Sequence, residues 1–452
     1  MKLDRLTKEQ VNIVTDTMGP DGRLTILDYE AEALATKDGF NTCYSIPNPT
    51  PIFKLLRQAS KQQALEQGDG TTGVINLAYH MTSNLHFKDL EELEKVCEDV
   101  KTMLDVKAEP IETYNTPTIS SYDSKSLPFK TLQDNLLKVA MIVTNSDKKI
   151  AEPIAKAIYH NGPTGHYIVE EVQEPSVAYE QIEGYYLPVG YGDPFFINQI
   201  NGSVVFNNPE FIIKDQITMS ELALPASKAA QENKPLVIIG SISEDCLDAL
   251  KANQMKGTGT YLWLNTAYLP VSHKQDIFID LQMLAPTVTK IETRSNNTIF
   301  QFKADKNLNK HIKTLKSDAK TNRERIARYE SKICKIKVGA SSAAEMKQIK
   351  DSVEDCILST ISAYKNGVVK GAGIALKEAY DLASSNYPIL KRLKYLTIFN
   401  ANYRKIGIKE KEVDLTKVID SAGVIKSQVD TAFEVAKVIL SSEHIIKPKE
   451  SK

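Results

Sequence analysis

The run Gly68-Asp69-Gly70-Thr71-Thr72-Gly73 leads directly into the helix-compatible stretch Val74-Ile75-Asn76-Leu77-Ala78. Glycines let a backbone approach a ligand closely, and the first turn of a helix offers unpaired N–H groups and the positive end of its dipole to phosphate. Thr71 and Thr72 add two hydroxyl donors. Phosphate would repel the Asp69 carboxylate unless a divalent cation lay between them, so the motif points to nucleotide chemistry with Mg²⁺. The same residues satisfy the GxGxxG spacing of dinucleotide-binding folds. That fingerprint needs an apolar strand upstream, whereas Leu55 to Gln67 is polar and helical in period. A P-loop is excluded, because no Gly-Lys dipeptide occurs in the chain. Taken alone, GDGTT reads equally well as a turn before a helix, since Gly and Asp are turn formers.

Three further pieces are ambiguous by themselves. Thr36-Lys37-Asp38-Gly39 and Gly19-Pro20 each read as simple β-turns. Gly367 to Gly373 is a second glycine-rich approach to a helix, starting at Ile374, and alone reads as helix packing. Asp355 lies on a charged amphipathic helix, where an acidic residue is ordinarily solvated.

The elements that must position these residues fall into three stretches. From Leu3 to about Val106 the pattern is mainly helical, with one strand expected at Leu24 to Leu27 after the turn Pro20-Asp21-Gly22. Thr116 to Ser126 is rich in Ser and Thr and marks a boundary. A helix is expected over Lys148 to Tyr159 and a strand at Tyr167 to Val169. Residues 183 to 303 alternate short β-type runs (Phe211 to Ile213, Leu236 to Ile239, Tyr261 to Leu264) with helical stretches, the signature of an α/β unit. Lys303 to Lys332 is Lys-rich, and with hardly an aromatic beyond Tyr329 to stack bases it reads as a solvated helical face. Met346 to Leu382 and Val429 to Leu440 are again helical.

The 452 residues, 42% hydrophobic and 25% charged, are enough for two or three domains. Lys plus Arg number 56 against 57 Asp plus Glu, so the net charge of -1 offers no broad field for nucleic acid or an anionic membrane. Five cysteines without a CxxC pair write neither a disulfide framework nor a zinc knuckle. With no signal-type N-terminus and no apolar run near the roughly 20 residues a membrane span needs, a cytoplasmic location is expected.

Taken together, the pieces resemble one family. TDTMGPDGR (15 to 23), TKDG (36 to 39), GDGTT (68 to 72), KVGASSAAEMKQIKDSVEDCI (337 to 357) and GVVKGAGIAL (367 to 376) look like the nucleotide pocket of GroEL-type (group I) chaperonins, in chaperonin order. IEGYYLPVGYGDPFFIN (182 to 198) and KPLVIIG (234 to 240) are similar to parts of that family's apical domain, and residues 418 to 443 to its closing equatorial helix.

The resemblance implies a multidomain α/β chaperonin architecture: a helical equatorial domain from residues 1–116 and 366–452, a small α/β intermediate hinge from 117–182 and 333–365, and an α/β apical domain over 183–332. It implies ATP hydrolysis with Mg²⁺, and K⁺ as a further cation. Asp69 and Asp38 would hold the metal, and Gly68, Gly70, Thr71 and Thr72 would meet the phosphates. Thr17, Gly19, Pro20, Lys37 and Gly39 would line the phosphate side, and Gly371, Ala372, Gly373, Ile142 and Asp420 the sugar and base. Asp355, delivered by the hinge, would orient the attacking water, with Asp38 as the second catalytic carboxylate. Tyr191, Phe195 and Phe196 would bind non-native client proteins through exposed apolar surface. Subunits would assemble into a ring, heptameric, single or double, with a co-chaperonin lid as a further partner.

Several features depart from that family. The two apical helices, Leu222 to Ala230 and Glu244 to Asn253, carry more alanine and charge than an apolar groove should. No insertion between 234 and 270 is long enough for a built-in lid, and the Asn-Ala-Ala hairpin that covers adenine is missing. Ala372 replaces a glycine, and the chain ends KPKESK without a Gly-Gly-Met tail. Such shortening suggests a fast-diverging lineage of bacteriophage type. Two alternatives stay open: a nucleotide-binding ring or scaffold that folds nothing, and a small-molecule kinase sharing a phosphate loop by chance.

Overall fold

The computed structural model describes residues 4–19, 21–29, 32–114, 127–267, 269, 271–318, 321–329, 332–407 and 418–446. The chain divides into two compact units, residues 1–163 with 340–452, and residues 164–339. The first unit opens with α1 (Arg5–Thr15), the hairpin β1 (Thr25–Tyr29) and β2 (Glu32–Thr36), and α2 (Gly39–Ser45). Helices α3 (Pro51–Gln67), α4 (Thr71–Asn84), α5 (Leu90–Lys107), α6 (Leu127–Val143) and α7 (Lys148–Asn161) follow. The strand expected at Leu24 to Leu27 begins one residue later and runs to Tyr29, pairing antiparallel with β2.

Helix ends in this stretch follow local chemistry. Pro51 occupies the first turn of α3, where its missing N–H costs nothing, and the Thr50 hydroxyl accepts from the Phe53 N–H at 3.1 Å. Gly68 ends α3 in the left-handed region (φ +67°). Only two residues later Gly70, also left-handed (φ +79°), begins α4.

Among the described residues the second unit holds three sheets. Strand β3 (His166–Val172) and β4 (Val177–Glu183) flank β12 (Lys332–Gly339), which runs parallel to β3 and antiparallel to β4. An antiparallel sheet has the order β5 (Tyr185–Leu187), β11 (Thr298–Phe302), β10 (Val288–Thr293), β6 (Val204–Asn207). A parallel sheet joins β7 (Glu210–Ile217), β8 (Leu236–Ile242) and β9 (Tyr261–Leu264) through α8 (Met219–Gln231) and α9 (Glu244–Met255). Its central strand is apolar and buried from Leu236 to Ile239, as a strand covered on both faces requires.

Helices α10 (Val271–Leu284), α11 (Lys306–Ser317) and α12 (Arg323–Tyr329) complete the unit. The Lys-rich stretch is helical as expected but not wholly solvated. Arg325 Nη2 donates to the fully buried Asp280 carboxylate at 2.6 Å, and the Tyr329 hydroxyl donates to the Asp280 carbonyl at 2.9 Å. Tyr329 is therefore core.

The chain then returns to the first unit with α13 (Ala343–Asn366), β13 (Val368–Lys370), α14 (Ile374–Ala383), α15 (Ile389–Phe399), α16 (Ala401–Ile406), β14 (Ile419–Ser421) and α17 (Ala422–Ser441). Helix α17 packs against α3, α4, α5 and α13. Phe53, Leu77, Met81, Tyr380, Phe399 and Val429 share its core. A polypeptide split by 176 residues of a second unit thus rebuilds one hydrophobic interior from both of its ends. All five cysteines are buried and unbridged, and no helix among the described residues is long and apolar enough to cross a membrane.

Between β13 and α14 the turn places Ala372 at φ +58°. An L-residue there costs roughly 1–2 kcal/mol, part of which glycine would return as unfolded-state entropy. Ala372→Gly is therefore expected to stabilise the chain by roughly 0.5–1 kcal/mol, measured as a rise in denaturation midpoint; a fall would contradict this strain.

Candidate nucleotide site

The Gly68-Asp69-Gly70 corner is tightly packed. A Cβ on Gly68 would stand 2.3 Å from the Asp355 carbonyl oxygen, and one on Gly70 would stand 2.2 Å from Gln428 Nε2. A Cβ on Gly39, at the start of α2, would meet the Thr72 hydroxyl at 1.7 Å. Helices α13, α17 and α2 therefore each approach the corner where only glycine fits. The first turn of α4 has no side-chain cap, which leaves the N–H groups of Thr71, Thr72 and Gly73 directed outward.

These elements enclose a cavity of about 650 Å³ within the first unit. Of the residues singled out from the sequence, its wall holds Thr17, Gly19, Lys37, Asp38, Gly39, Gly68, Asp69, Gly70, Thr71, Thr72, Ile142, Asp355, Ala372, Gly373 and Asp420. Gly371 does not reach the wall; it is buried behind it, where a Cβ would stand 3.0 Å from Asp420 Oδ1. Pro20 lies outside the described residues.

The carboxylates have distinct local partners. Asp38 caps α2, its Oδ1 accepting from the Phe40 N–H at 2.9 Å and its Oδ2 from the Asn41 N–H at 3.2 Å. Asp69 Oδ1 accepts from the Gly70 N–H at 2.6 Å. Each of Asp38, Asp69, Asp355 and Asp420 is half-buried at the cavity wall. Burial, the largest cause, raises the proton affinity of all four, and neighbouring negative charge adds to it: Asp351 acts on Asp38, Asp38 on Asp69, and Asp69 on both Asp355 and Asp420. Asp355 is pushed up to about 8, by burial first and then by Asp38, Asp69, Asp351 and Glu354. Asp420 is pushed up to about 7 by burial and Asp69, against a lowering backbone hydrogen bond from Ala372.

Among the described residues no three of His, Cys, Asp and Glu form a ready-made metal cage. Mg²⁺ needs none when it binds through one or two carboxylates, water and phosphate oxygens. Asp38 and Asp69, hard oxygen donors crowded by like charge, suit that arrangement.

Several residues behind or on the wall were not singled out from the sequence; Gln63, fully buried, lies behind it. Gln63 Nε2 donates to the Asp69 carbonyl at 2.9 Å and to the Val424 carbonyl at 3.3 Å, pinning the corner to α17. Asn402, Gln428, Asn145 and Ser146 line the cavity, the last two with φ of +51° and +69°. The available signal was a polar side chain on an apolar helix face: Gln63 continues the buried series Phe53, Leu56, Ala59 of α3.

The three aromatics assigned to clients belong to the second unit and behave differently from one another. Phe196 is 1% exposed and part of the core, which corrects the expectation that it presents its ring. A 3₁₀ turn over Pro194–Phe196 points consecutive rings apart, at 86°. Tyr191 is half-buried against the same core. Phe195 is 38% exposed, but Lys251 lies over its ring at 5.9 Å and pairs with Asp193 at 2.5 Å.

A helical unit built from both chain ends around a glycine-cornered pocket, with an inserted α/β unit, is the chaperonin arrangement. Residues 11–188 match the TCP-1/cpn60 chaperonin family. In fold the chain is similar to the chaperonin gp146 from the bacteriophage EL 2 (Pseudomonas aeruginosa), crystallised in the presence of ATP-BeFx. Two crystal forms of that protein superpose with TM-scores of 0.68 and 0.69 at 18% identity, over 99% of this chain and 97% of that one. A group III chaperonin in the open state superposes with a TM-score of 0.56 at 14% identity, over 97% of each chain. Residues 11–188 thus resemble that family in sequence, and the chain as a whole has the chaperonin fold.

The crowded carboxylates set a pH dependence. A folded-state affinity near 8 for Asp355 and 7 for Asp420, against an ordinary 3.8, means the folded chain holds more protons than the unfolded one between those values. Stability without nucleotide is therefore expected to fall as pH rises from about 4 to about 8, by at most roughly 1.4 kcal/mol per pH unit for each group. Thermal midpoints measured across that range should decline, and Asp355→Asn should flatten the decline; an equal slope in the variant would contradict the assignment.

Proposed function

We propose that the chain is the subunit of an ATP-driven chaperonin ring that binds non-native proteins and promotes their folding through ATP binding and hydrolysis. The observation that carries this reading is the convergence of the glycine corner, Asp38 and Asp355 on one cavity from segments some 300 residues apart in the chain. The crystals of the phage EL 2 chaperonin with ATP-BeFx support the choice of nucleotide.

In this reading the N–H groups of the first α4 turn, with the Thr71 and Thr72 hydroxyls and Lys37, hold the phosphates. Asp69 and Asp38 would hold Mg²⁺, which supplies charge neutralisation on the phosphate oxygens when bound. Gly371 to Gly373, Ile142 and Asp420 serve the sugar and base. Asp355 orients the attacking water, and its raised proton affinity suits a base working near neutral pH. Hydrolysis then requires α13 to be seated on Gly68, because that contact brings Asp355 to the wall. Division of the chain into equatorial (1–116, 366–452), intermediate (117–182, 333–365) and apical (183–332) parts gives that seating a mechanical meaning: a moving segment delivers the water-positioning group.

Ring contacts are assigned to the β1–β2 hairpin, where Ile26 is 72% exposed on a two-stranded sheet. Clients are assigned to the second unit, where Phe195, Met219 at 43% and Leu224 at 78% are exposed.

Steady-state phosphate release from ATP with Mg²⁺ tests the catalytic half. Asp355→Ala is expected to lower turnover by about 10² or more while ATP binding persists; unchanged turnover would remove Asp355 from the mechanism. Electron microscopy should show rings, and refolding of an aggregation-prone client should depend on ATP. Turnover in rings without any gain in refolding would contradict the folding half.

A further inference from the structure

We infer that the side-chain amide of Gln428 is a ligand of the nucleotide phosphates, donating from Nε2 beside the first turn of α4 and oriented by Asn76 and Asn402. The inference rests on the nucleotide reading of the pocket and adds to it a neutral donor on α17.

Gln428 is 6% exposed, yet it forms part of the cavity wall. Its amide lies against the phosphate corner: Nε2 would stand 2.2 Å from a Cβ on Gly70 and 3.0 Å from one on Gly73. Those residues bracket the N–H groups of α4 that no side chain caps.

The direction of the amide follows from a chain of hydrogen bonds. Asn76 Nδ2 donates to Asn402 Oδ1 at 2.9 Å, so Asn402 presents its Nδ2, which donates to Gln428 Oε1 at 3.4 Å. An amide whose oxygen is taken in this way has its N–H₂ on the other side. Asn76 and Asn402 are 4% exposed each, so water does not compete for the arrangement. Gln428 Nε2 meets no acceptor among the described residues and is not fully enclosed, so it opens onto the cavity. An acceptor arriving with the ligand satisfies it, and phosphate oxygen is the acceptor that the neighbouring α4 N–H groups select.

Charge gives the amide a purpose. Four aspartates line this wall, and Lys37 is the one Lys or Arg among the described lining residues. A second cation on α17 would pair with Asp69 or Asp420, whereas an uncharged donor can hold an anion without being drawn to them. A glutamine placed only to fill space would be replaced without loss by a methionine of similar length.

The test uses the full chain, with ATP and Mg²⁺, inorganic pyrophosphate and adenosine as probes. Calorimetric titration of Gln428→Met is expected to show about 10- to 100-fold weaker binding of ATP and pyrophosphate. Adenosine competition should be unchanged, while the melting temperature without nucleotide should fall modestly, because Asn402 Nδ2 loses its acceptor. Gln428→Glu, which keeps the shape and turns a donor toward phosphate into an acceptor, should lose more, and it serves as the comparison if the methionine variant does not fold. ATP binding of either variant at wild-type strength would overturn the inference, as would an equal loss for adenosine, which marks general distortion of the pocket. Failure of the wild-type chain itself to bind ATP or pyrophosphate would instead overturn the nucleotide reading beneath it.

Discussion

The pocket depends on a corner too tight for side chains. Helices α3 and α4 meet through three residues, and both glycines of that link adopt left-handed backbone that L-residues avoid. Because they carry no Cβ, the backbone of α13 at Asp355 and the amide of Gln428 on α17 come into direct contact with the link. Gln63 fastens the same link to Val424, 361 residues away in sequence. The Asp355 segment, the first N–H groups of α4 and the long C-terminal helix are thus all referenced to one point. Displacing that point by the width of a methyl group would displace each of them.

Around this corner the chain gathers like charge. Asp38, Asp69, Asp355 and Asp420 face one cavity, and burial strengthens their repulsion. Without ligand the cost is reduced by holding protons; with a metal-bound anion it is relieved by the cation between carboxylate and phosphate. A site of this kind couples ligand binding to stability, because a ligand that removes repulsion binds the folded state alone.

Residues of chemical type were legible in the sequence where the backbone itself announces them. Gly68 and Gly70 signal a left-handed corner, and the structure has both in that region, with Thr71 opening α4. The separate turns at Gly19, Asp38 and Gly373 meant little until their order resembled a family, and the structure places them on one wall. Gln63, Asn402 and Gln428 were harder to read, since an amide side chain in a helix ordinarily faces water and the partners Val424, Asn76 and Ser427 lie hundreds of residues from the groups they bond. Phe195 and Phe196 could not be told apart by composition; only the 3₁₀ turn after Asp193 decides which ring enters the core. Strand β2, Glu-Ala-Leu-Ala-Thr over Glu32–Thr36, has little strand propensity of its own and pairs along its whole length with β1.

The central claim is that the carboxylate-lined pocket receives ATP together with a divalent cation. Calorimetric titration of ATP into the full chain, with Mg²⁺ and then with the cation removed by chelator, measures this directly. Binding should be clear with Mg²⁺ and lost or weakened by at least about tenfold without it, as unscreened phosphate meets four aspartates. Equal affinity under both conditions would contradict the account.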